Sequence, residues 1–179
     1  MENVQKKQLP PLRVAGIRTQ GRYEACGPLF RKLGRYVGRF ANGKPHCLHY
    51  SDYQPQTADF AACLPIRELS EPESRKVRDA GIGIQEVPDA TAVCLAHHGP
   101  YEHLGTSYLR LLEYLHEKHG LDETSLQWPT REIYLKGPGI FFRGNPRKYV
   151  TEIQLALLPP GEFNSPRPVP APSVPHGSL

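Results

Sequence analysis

The chain has 179 residues, with 22 Lys and Arg against 18 Asp and Glu and a net charge of +4. This length fits one domain, or one compact duplication, that buries its own core. The charge is spread along the chain without a basic arm, so direct nucleic-acid binding is not expected. No run of about 18 apolar residues is present, so no membrane span is expected.

The cysteines indicate the compartment. They are separated in sequence, with no CxxC pair and no spacing typical of zinc ligands. The first residues, MENVQKKQLPP, contain no apolar stretch that would act as a signal peptide. We therefore expect a reduced, cytoplasmic protein with no cofactor and no metal site. The four positions are Cys26, Cys47, Cys63 and Cys94.

The first predicted elements are a strand in RVAGIRTQ, a turn in GRYEACG and a helix from Gly27 to Phe40. Apolar side chains recur at helical spacing through that helix. A hairpin that pairs HCLHYSD with ADFAACLPI then completes the first unit. The next segment, residues 67–82, is charged and contains a proline, which is typical of a linker.

The second half repeats this order. A strand in TAVCLAHH is followed by GPYEHLG, which matches GRYEACG at Gly, Tyr, Glu and Gly, and by a helix from Leu104 to His119. A second hairpin pairs REIYLKGP with VTEIQLALL. We predict an α+β fold of two βαββ units, at about 12–66 and 83–157, related by a pseudo-twofold axis. Their strands form one antiparallel sheet, with both helices on one face and a ligand cleft on the other.

The stretch HHGPYEHLG carries three histidines beside a tyrosine and a glutamate, which raises the question of a metal site. Because the skeleton GxYExxG occurs in both halves, we interpret it as a strand-to-helix turn. His97 and His98 would also point to opposite sides of a strand, so they would not converge on a metal.

Alternation along the strands assigns bulky side chains to the helix face and small ones to the other face. The second face would carry Cys94, His98 and Glu152. Small residues leave room for a ligand, although loops that simply cover them are the alternative. The same alternation in TREIYLKGPG places Glu132 and Tyr134 on this open face, with Ile133 and Leu135 toward the helices.

Glu132 is the main candidate site residue. When the two repeats are aligned on Tyr50 and Tyr134, Leu48 stands in the first repeat where Glu132 stands in the second. The acid is therefore a difference between the two halves. A carboxylate among apolar and aromatic groups favours a cation. A salt bridge to a neighbouring base, such as Arg131, is the alternative. Aromatic candidates for the cleft walls are Tyr101, Tyr108, Trp128, Phe141 and Phe142.

With these motifs the chain resembles the GyrI-like small-molecule-binding family, the effector-binding domain of AraC-type and BmrR-type regulators. The resemblance runs from about Leu12 to Leu157 and depends on the duplication, HHGPYEHLG, REIYLKGPG and PRKYVTEIQLAL. It implies a central cleft in which Glu132 meets lipophilic cations, with Glu152 close by. The ligand-binding residues expected from the sequence and the resemblance are Glu132, Glu152, Tyr134, Tyr101, Tyr108, Trp128, Phe141, Cys94 and His98.

Members of the family differ in use. Some are sensor domains fused to DNA-binding modules, one inhibits DNA gyrase, and some hydrolyse strained cyclopropane-bearing toxins. No DNA-binding module is recognisable here, and a charge of +4 has the wrong sign for acidic mimicry of DNA. The expected function is capture of lipophilic cationic or electrophilic compounds, for xenobiotic sensing or protection. The alternative is a hydrolase in which Glu132 is the acid/base and Tyr101 or Tyr134 orients the ligand or the attacking water.

The proline-rich segment 158–179 is predicted to be extended or disordered. Removing the residues after Leu158 is therefore expected to leave the melting temperature and any ligand affinity nearly unchanged. Thermal unfolding of the truncated chain tests this. A stability loss above about 1 kcal/mol would mean that the tail packs on the body.

Overall fold

The computed structural model describes residues 4–22, 26–51, 56–137, 144–159 and 162. These residues form one antiparallel sheet of eight strands together with three α-helices. The strands are β1 (Gln5–Leu9), β2 (Leu12–Gly21), β3 (His46–His49), β4 (Ala58–Pro65), β5 (Gly83–Val87), β6 (Ala90–His98), β7 (Thr130–Lys136) and β8 (Val150–Leu157). The helices are α1 (Cys26–Val37), α2 (Glu71–Asp79) and α3 (Leu104–His119).

The strand order shows the duplication directly. It runs β1-β6-β8-β7-β3-β4-β2-β5, so the order outward from the central β7–β3 pair is equivalent on both sides. Both predicted hairpins are present, β3 with β4 and β7 with β8. The α+β fold with one antiparallel sheet is therefore confirmed. The edge strands are exchanged: β1 pairs with β6 of the second half, and β5 pairs with β2 of the first half.

In both halves a GxYE motif lies in the sequence between a strand and a helix: β2 ends at Gly21 and α1 begins at Cys26, while β6 ends at His98 and α3 begins at Leu104. The first glycines of the two motifs, Gly21 and Gly99, have φ angles of 144° and 124°, a region that side chains with a Cβ rarely adopt. The predicted helices are confirmed. Helix α1 is followed by a 3₁₀ turn that ends at Phe40, and α3 covers the predicted range. Strands β1 and β5 and helix α2 were not predicted.

Helix α2 lies within the segment predicted as a linker. It begins with a capping box, in which the backbone N–H of Ser70 donates to the Glu73 carboxylate at 2.9 Å. Pro72 falls in the first turn, where a missing N–H is harmless. Val77 packs into the core of the first half. The proline therefore marks the start of a helix.

The core on the helix face consists of two clusters, one for each half. Leu33 of α1 packs on Ala15 and Ala62 of the sheet, and Leu111 of α3 packs on Ile153 in the equivalent way. The opposite face holds smaller clusters built on residues such as Cys63. In the described part of the chain, no helix is long and apolar enough to cross a membrane.

Candidate functional site

Glu132 lies on the helix side of the sheet. In the strand ladders it is opposite Cys47 of β3 and Ile153 of β8, and Ile153 belongs to the helix-side core. Its neighbour Ile133 is opposite Glu152, on the other face. The predicted orientation of β7 is therefore wrong. The parity of β7 is set by its ladders with β3 and β8, whereas the prediction relied on the size of its side chains.

The positions of Leu135 and Leu48 also show that the predicted faces of β7 and β3 were reversed. Leu135, predicted to pack under the helices, is 41% exposed beside a register shift at the end of β7. Leu48, predicted to be the counterpart of Glu132, is opposite Arg131 and so faces away from the helices. Cys47 is the residue of the first half that lies directly across from the acid.

The Glu132 carboxylate is fully buried and well supplied with partners. The Tyr108 hydroxyl donates to its Oε1 atom at 2.7 Å, and the Tyr134 hydroxyl donates to its Oε2 atom at 3.3 Å. His49 Nε2 lies 3.4 Å from Oε1. Burial by itself would raise the pKa of Glu132, but His49 and the two hydroxyls outweigh it and lower that pKa. The site therefore holds an ionised carboxylate at neutral pH.

Aromatic rings surround the Oε2 side of the carboxylate. Tyr134 makes edge contacts with Phe30 of α1 and with Tyr101, at centroid distances of 5.7 and 5.6 Å. Tyr101 also contacts Tyr149, at 5.1 Å. Burial raises the pKa of both Tyr101 and Tyr134, so their hydroxyls stay protonated and act as donors. Gly137 permits this packing, since a Cβ there would lie 2.9 Å from the Tyr101 hydroxyl.

A cleft of about 310 Å³ opens on the Oε1 side. His49 and Tyr108, the two residues that contact that oxygen, line the cleft together with Trp128, whereas the buried Glu132 lies behind them and does not line it. The cleft is on the helix side of the sheet, not on the opposite face where it was predicted. Its volume is at the lower end of the range for small-molecule pockets, about 300–1,000 Å³. The remaining lining residues are Ser51, Gly105, Leu109, Leu112, Glu123, Leu126, Thr130 and Leu155.

Three predicted ligand-binding residues lie on the opposite face. Cys94 packs with Leu9 and Ala92 there, and burial raises its pKa to about 12. Glu152 forms an ion pair with Lys7 at 2.7 Å. His98 follows the same strand parity and is exposed. The expectation that Glu152 lies beside Glu132 is therefore wrong, because adjacent positions across the β7–β8 ladder put them on opposite faces.

The other predicted wall residues fall into two groups. Tyr101, Tyr108 and Tyr134 belong to the cluster around Glu132, and Trp128 lines the adjacent cleft. Phe141 and Phe142 lie outside the described residues. Sequence reasoning missed His49, Phe30 and Tyr149. His49 is visible in HCLHYSD, but the sequence analysis used only its neighbours Leu48 and Tyr50.

The ring of His97 is engaged on both edges. Its Nε2 atom lies 3.1 Å from the Pro100 carbonyl oxygen, which only accepts, so Nε2 carries the proton. Its Nδ1 atom then accepts from the Ser107 hydroxyl of α3, at 2.9 Å. His97 thus holds the turn against the start of α3. In the described parts of the chain, no group of three His, Cys, Asp or Glu side chains is placed to hold a metal.

Replacing His97 with Ala is expected to destabilise the protein by about 1–3 kcal/mol, because it leaves the buried Ser107 hydroxyl without this partner. His98→Ala, at the exposed neighbouring position, is expected to stay within about 0.5 kcal/mol. Urea unfolding measures both. Calorimetric titration of the wild type with zinc, nickel and copper should show no tight site; a stoichiometric site lost on replacing His97, His98 and His103 together would contradict this account.

Residues 2–158 match the family model of the GyrI-like small molecule binding domain. The chain belongs to this family. No curated protein sequence matches it. The GyrI-like domain occupies nearly the whole chain, so the duplicated sheet, both GxYE turns and the Glu132 cluster all lie within it.

Solved structures show the same GyrI-like fold. EcmrR in complex with DNA matches with a TM-score of 0.70 at 22% identity. The match covers 87% of this chain but only 57% of the EcmrR chain. The EcmrR C-terminal domain alone is covered to 98%, with 88% of this chain matched, 21% identity and a TM-score of 0.67. SAV2435 bound to tetraphenylphosphonium has a TM-score of 0.60 and 13% identity, with 91% of this chain and 98% of that chain covered. A hydrolase from Listeria innocua has a TM-score of 0.61 and 13% identity, with 88% of this chain and 92% of that chain covered.

Proposed function

We propose that this GyrI-like domain binds lipophilic cations in the cleft against helix α3, directly beside the buried Glu132 carboxylate. The observation that carries the proposal is a fully buried, ionised carboxylate enclosed by aromatic rings. Such a carboxylate attracts a positive charge strongly, because no bulk water screens it. The rings add π faces for a flat or cationic guest.

The empty site already contains a partner for the carboxylate. His49 lies 3.4 Å from Oε1 and lines the cleft, where an incoming cation would compete with it for the same oxygen. The hydroxyls of Tyr108 and Tyr134 would continue to hold the carboxylate in place. A ligand therefore gains most when its charge is spread over a large apolar body, since such an ion loses little hydration on entering.

The related structure of SAV2435 with tetraphenylphosphonium supports this ligand class. The fold is shared with EcmrR, which was solved in a complex with DNA. We propose sensing of such compounds as the use of the site, with protection by capture as the other use. The thiols of Cys26, Cys47, Cys63 and Cys94 are free, which suits the reducing cytoplasm as the place of action.

Calorimetric titration with tetraphenylphosphonium tests the proposal, with triphenylphosphine oxide as a neutral relative of similar shape. We expect saturable binding of the cation with a one-to-one stoichiometry, and at least tenfold weaker binding of the neutral compound. Equal affinity for the two compounds, or no binding of either, would contradict a site organised around a carboxylate.

A hydrolase is the second candidate. The observation that favours it is the pairing of an ionised carboxylate with a tyrosine hydroxyl at 3.3 Å, together with the fold shared with the Listeria innocua hydrolase. The lowered pKa of Glu132 keeps it ionised, so at neutral pH it could accept a proton from water but not donate one. The raised pKa of Tyr134 keeps its hydroxyl protonated, as a donor that orients the ligand requires.

Mass spectrometry of a strained, cyclopropane-bearing electrophile incubated with the protein separates the two functions. An enzyme would release a hydrated product in many turnovers, and Glu132→Gln would still bind the compound without converting it. A binding domain would return the compound unchanged. Covalent attachment to the protein at one equivalent without turnover would also exclude the hydrolase.

A further inference from the structure

Two cysteines meet beside the Glu132 cluster. Cys26 is the first residue of α1 and Cys47 lies in β3, and their Sγ atoms are 3.2 Å apart across 21 positions of sequence. The S–S bond of a disulfide is about 2.05 Å long, so these sulfur atoms are roughly 1.2 Å from bonding distance. Closing this gap, by a shift of the first turn of α1 toward β3, would join them. We propose that Cys26 and Cys47 form a reversible disulfide that fastens the start of α1 to the sheet.

The two thiols differ in access, which sets the order of the chemistry. Cys26 is partly exposed, whereas Cys47 is fully buried. Burial and the neighbouring Cys26 raise the pKa of the Cys47 thiol. Cys26 is therefore the thiol that an oxidant reaches first, and Cys47 is the thiol that resolves the intermediate.

A small-molecule disulfide such as oxidised glutathione is the oxidant class. The Cys26 sulfur attacks one glutathione sulfur, which forms a mixed disulfide and releases one reduced glutathione. The Cys47 sulfur then attacks Cys26, which forms the protein disulfide and releases the second glutathione. Each released thiolate takes up the proton that a protein thiol has lost. Two protein thiols are oxidised and one glutathione disulfide is reduced.

The bond would act at the centre of the fold. Cys47 is directly opposite Glu132 in the β3–β7 ladder and packs in one cluster with Phe30 and Tyr134. A covalent link there fixes α1, which carries Phe30, against the strand next to the acid. The redox state of the pair would therefore control how far the start of α1 moves from the sheet. This inference does not depend on the proposed ligand.

The other two cysteines provide matched controls. Cys63 and Cys94 lie in the clusters on the opposite face of the sheet. Burial raises the pKa of both thiols to about 12. A Cys63→Ser, Cys94→Ser variant keeps only the proposed pair, and Cys26→Ser in the otherwise native chain removes the first thiol.

The test is incubation of the full reduced chain in glutathione buffers of increasing disulfide fraction, followed by alkylation and mass spectrometry. We expect two thiols to be lost together, a Cys26–Cys47 cross-linked peptide, full reversal by dithiothreitol, and a melting temperature several degrees higher when oxidised. The Cys63→Ser, Cys94→Ser variant should form the same cross-link as the wild type. The Cys26→Ser variant should keep its remaining thiols free. Chymotryptic mapping of the wild type makes the assignment without substitution. Four alkylated thiols at every buffer ratio, or a glutathione adduct on Cys26 that never resolves, would overturn the proposal.

Discussion

Replacing Glu132 with Gln is expected to weaken tetraphenylphosphonium binding by roughly 2–4 kcal/mol, the typical result of removing one partner of a desolvated charge pair. This corresponds to a loss of about 30- to 1,000-fold in affinity. Gln keeps the shape of the side chain and can still accept from Tyr108. The loss therefore reports the charge. Calorimetric titration of both proteins measures it.

Glu152→Gln is the matched control, because it makes the same change on the adjacent strand but on the opposite face. Its affinity for the cation is expected to match that of the wild type, and the neutral triphenylphosphine oxide should bind all three proteins alike. If the two substitutions weakened cation binding equally, the site would not be on the helix side. An unchanged affinity in folded Glu132→Gln would make the residue a structural ion-pair partner only.

The stability of the empty protein gives a second readout of Glu132. From the sequence alone, an uncompensated carboxylate would make Glu132→Gln neutral or slightly stabilising. The structure supplies partners that lower its folded-state pKa, so the ionised acid contributes stability above its unfolded pKa and loses it as the pH falls through the folded value. The free energy of unfolding of the wild type should therefore exceed that of the Glu132→Gln variant at neutral pH. The difference between the two proteins should disappear in acid.

Replacing His49 with Leu is expected to destabilise the empty protein by about 3–5 kcal/mol at neutral pH, because it removes one partner of the buried Glu132 carboxylate. The double variant His49→Leu, Glu132→Gln removes the charge as well and should recover much of that loss. Urea unfolding of the four proteins gives the coupling energy between the two positions.

His46→Leu is the control for this cycle. His46 is buried in the same strand but on the opposite face, and burial lowers its pKa to about 4, so it is neutral at pH 7. Its substitution should show little coupling to Glu132→Gln. Strictly additive effects of His49→Leu and Glu132→Gln would show that no charge interaction joins them.

The duplication could be predicted because its signals are local. The glycines of the GxYE turns need positive φ angles, and the helical period after each turn is strong. The exchanged edge strands could not be predicted in this way. Strand β1, QKKQL, is short and largely polar, and it becomes a strand only by pairing with β6 from the other half. Helix α2 carried a readable capping signal, Ser70 with Glu73, that the proline obscured.

The site was only partly predictable, for a different physical reason. The identity of Glu132 and three tyrosines followed from the residue types, but their face depended on assigning large apolar side chains to the helix side. In β7 the helix side instead carries an acid and a tyrosine. The Tyr134 hydroxyl donates to Glu132, and Tyr108 and His49 supply the other partners of that carboxylate. Partners of this kind come from distant elements and become visible only when the fold brings them together.

A crystal structure of the protein with tetraphenylphosphonium tests the central claim most directly. The account predicts the cation on the helix side, with its phenyl groups against Tyr108 and Trp128 and its phosphorus nearer to the Glu132 carboxylate than to any other acid. A cation bound on the small-residue face beside Glu152, with the Glu132 cluster unchanged, would contradict it.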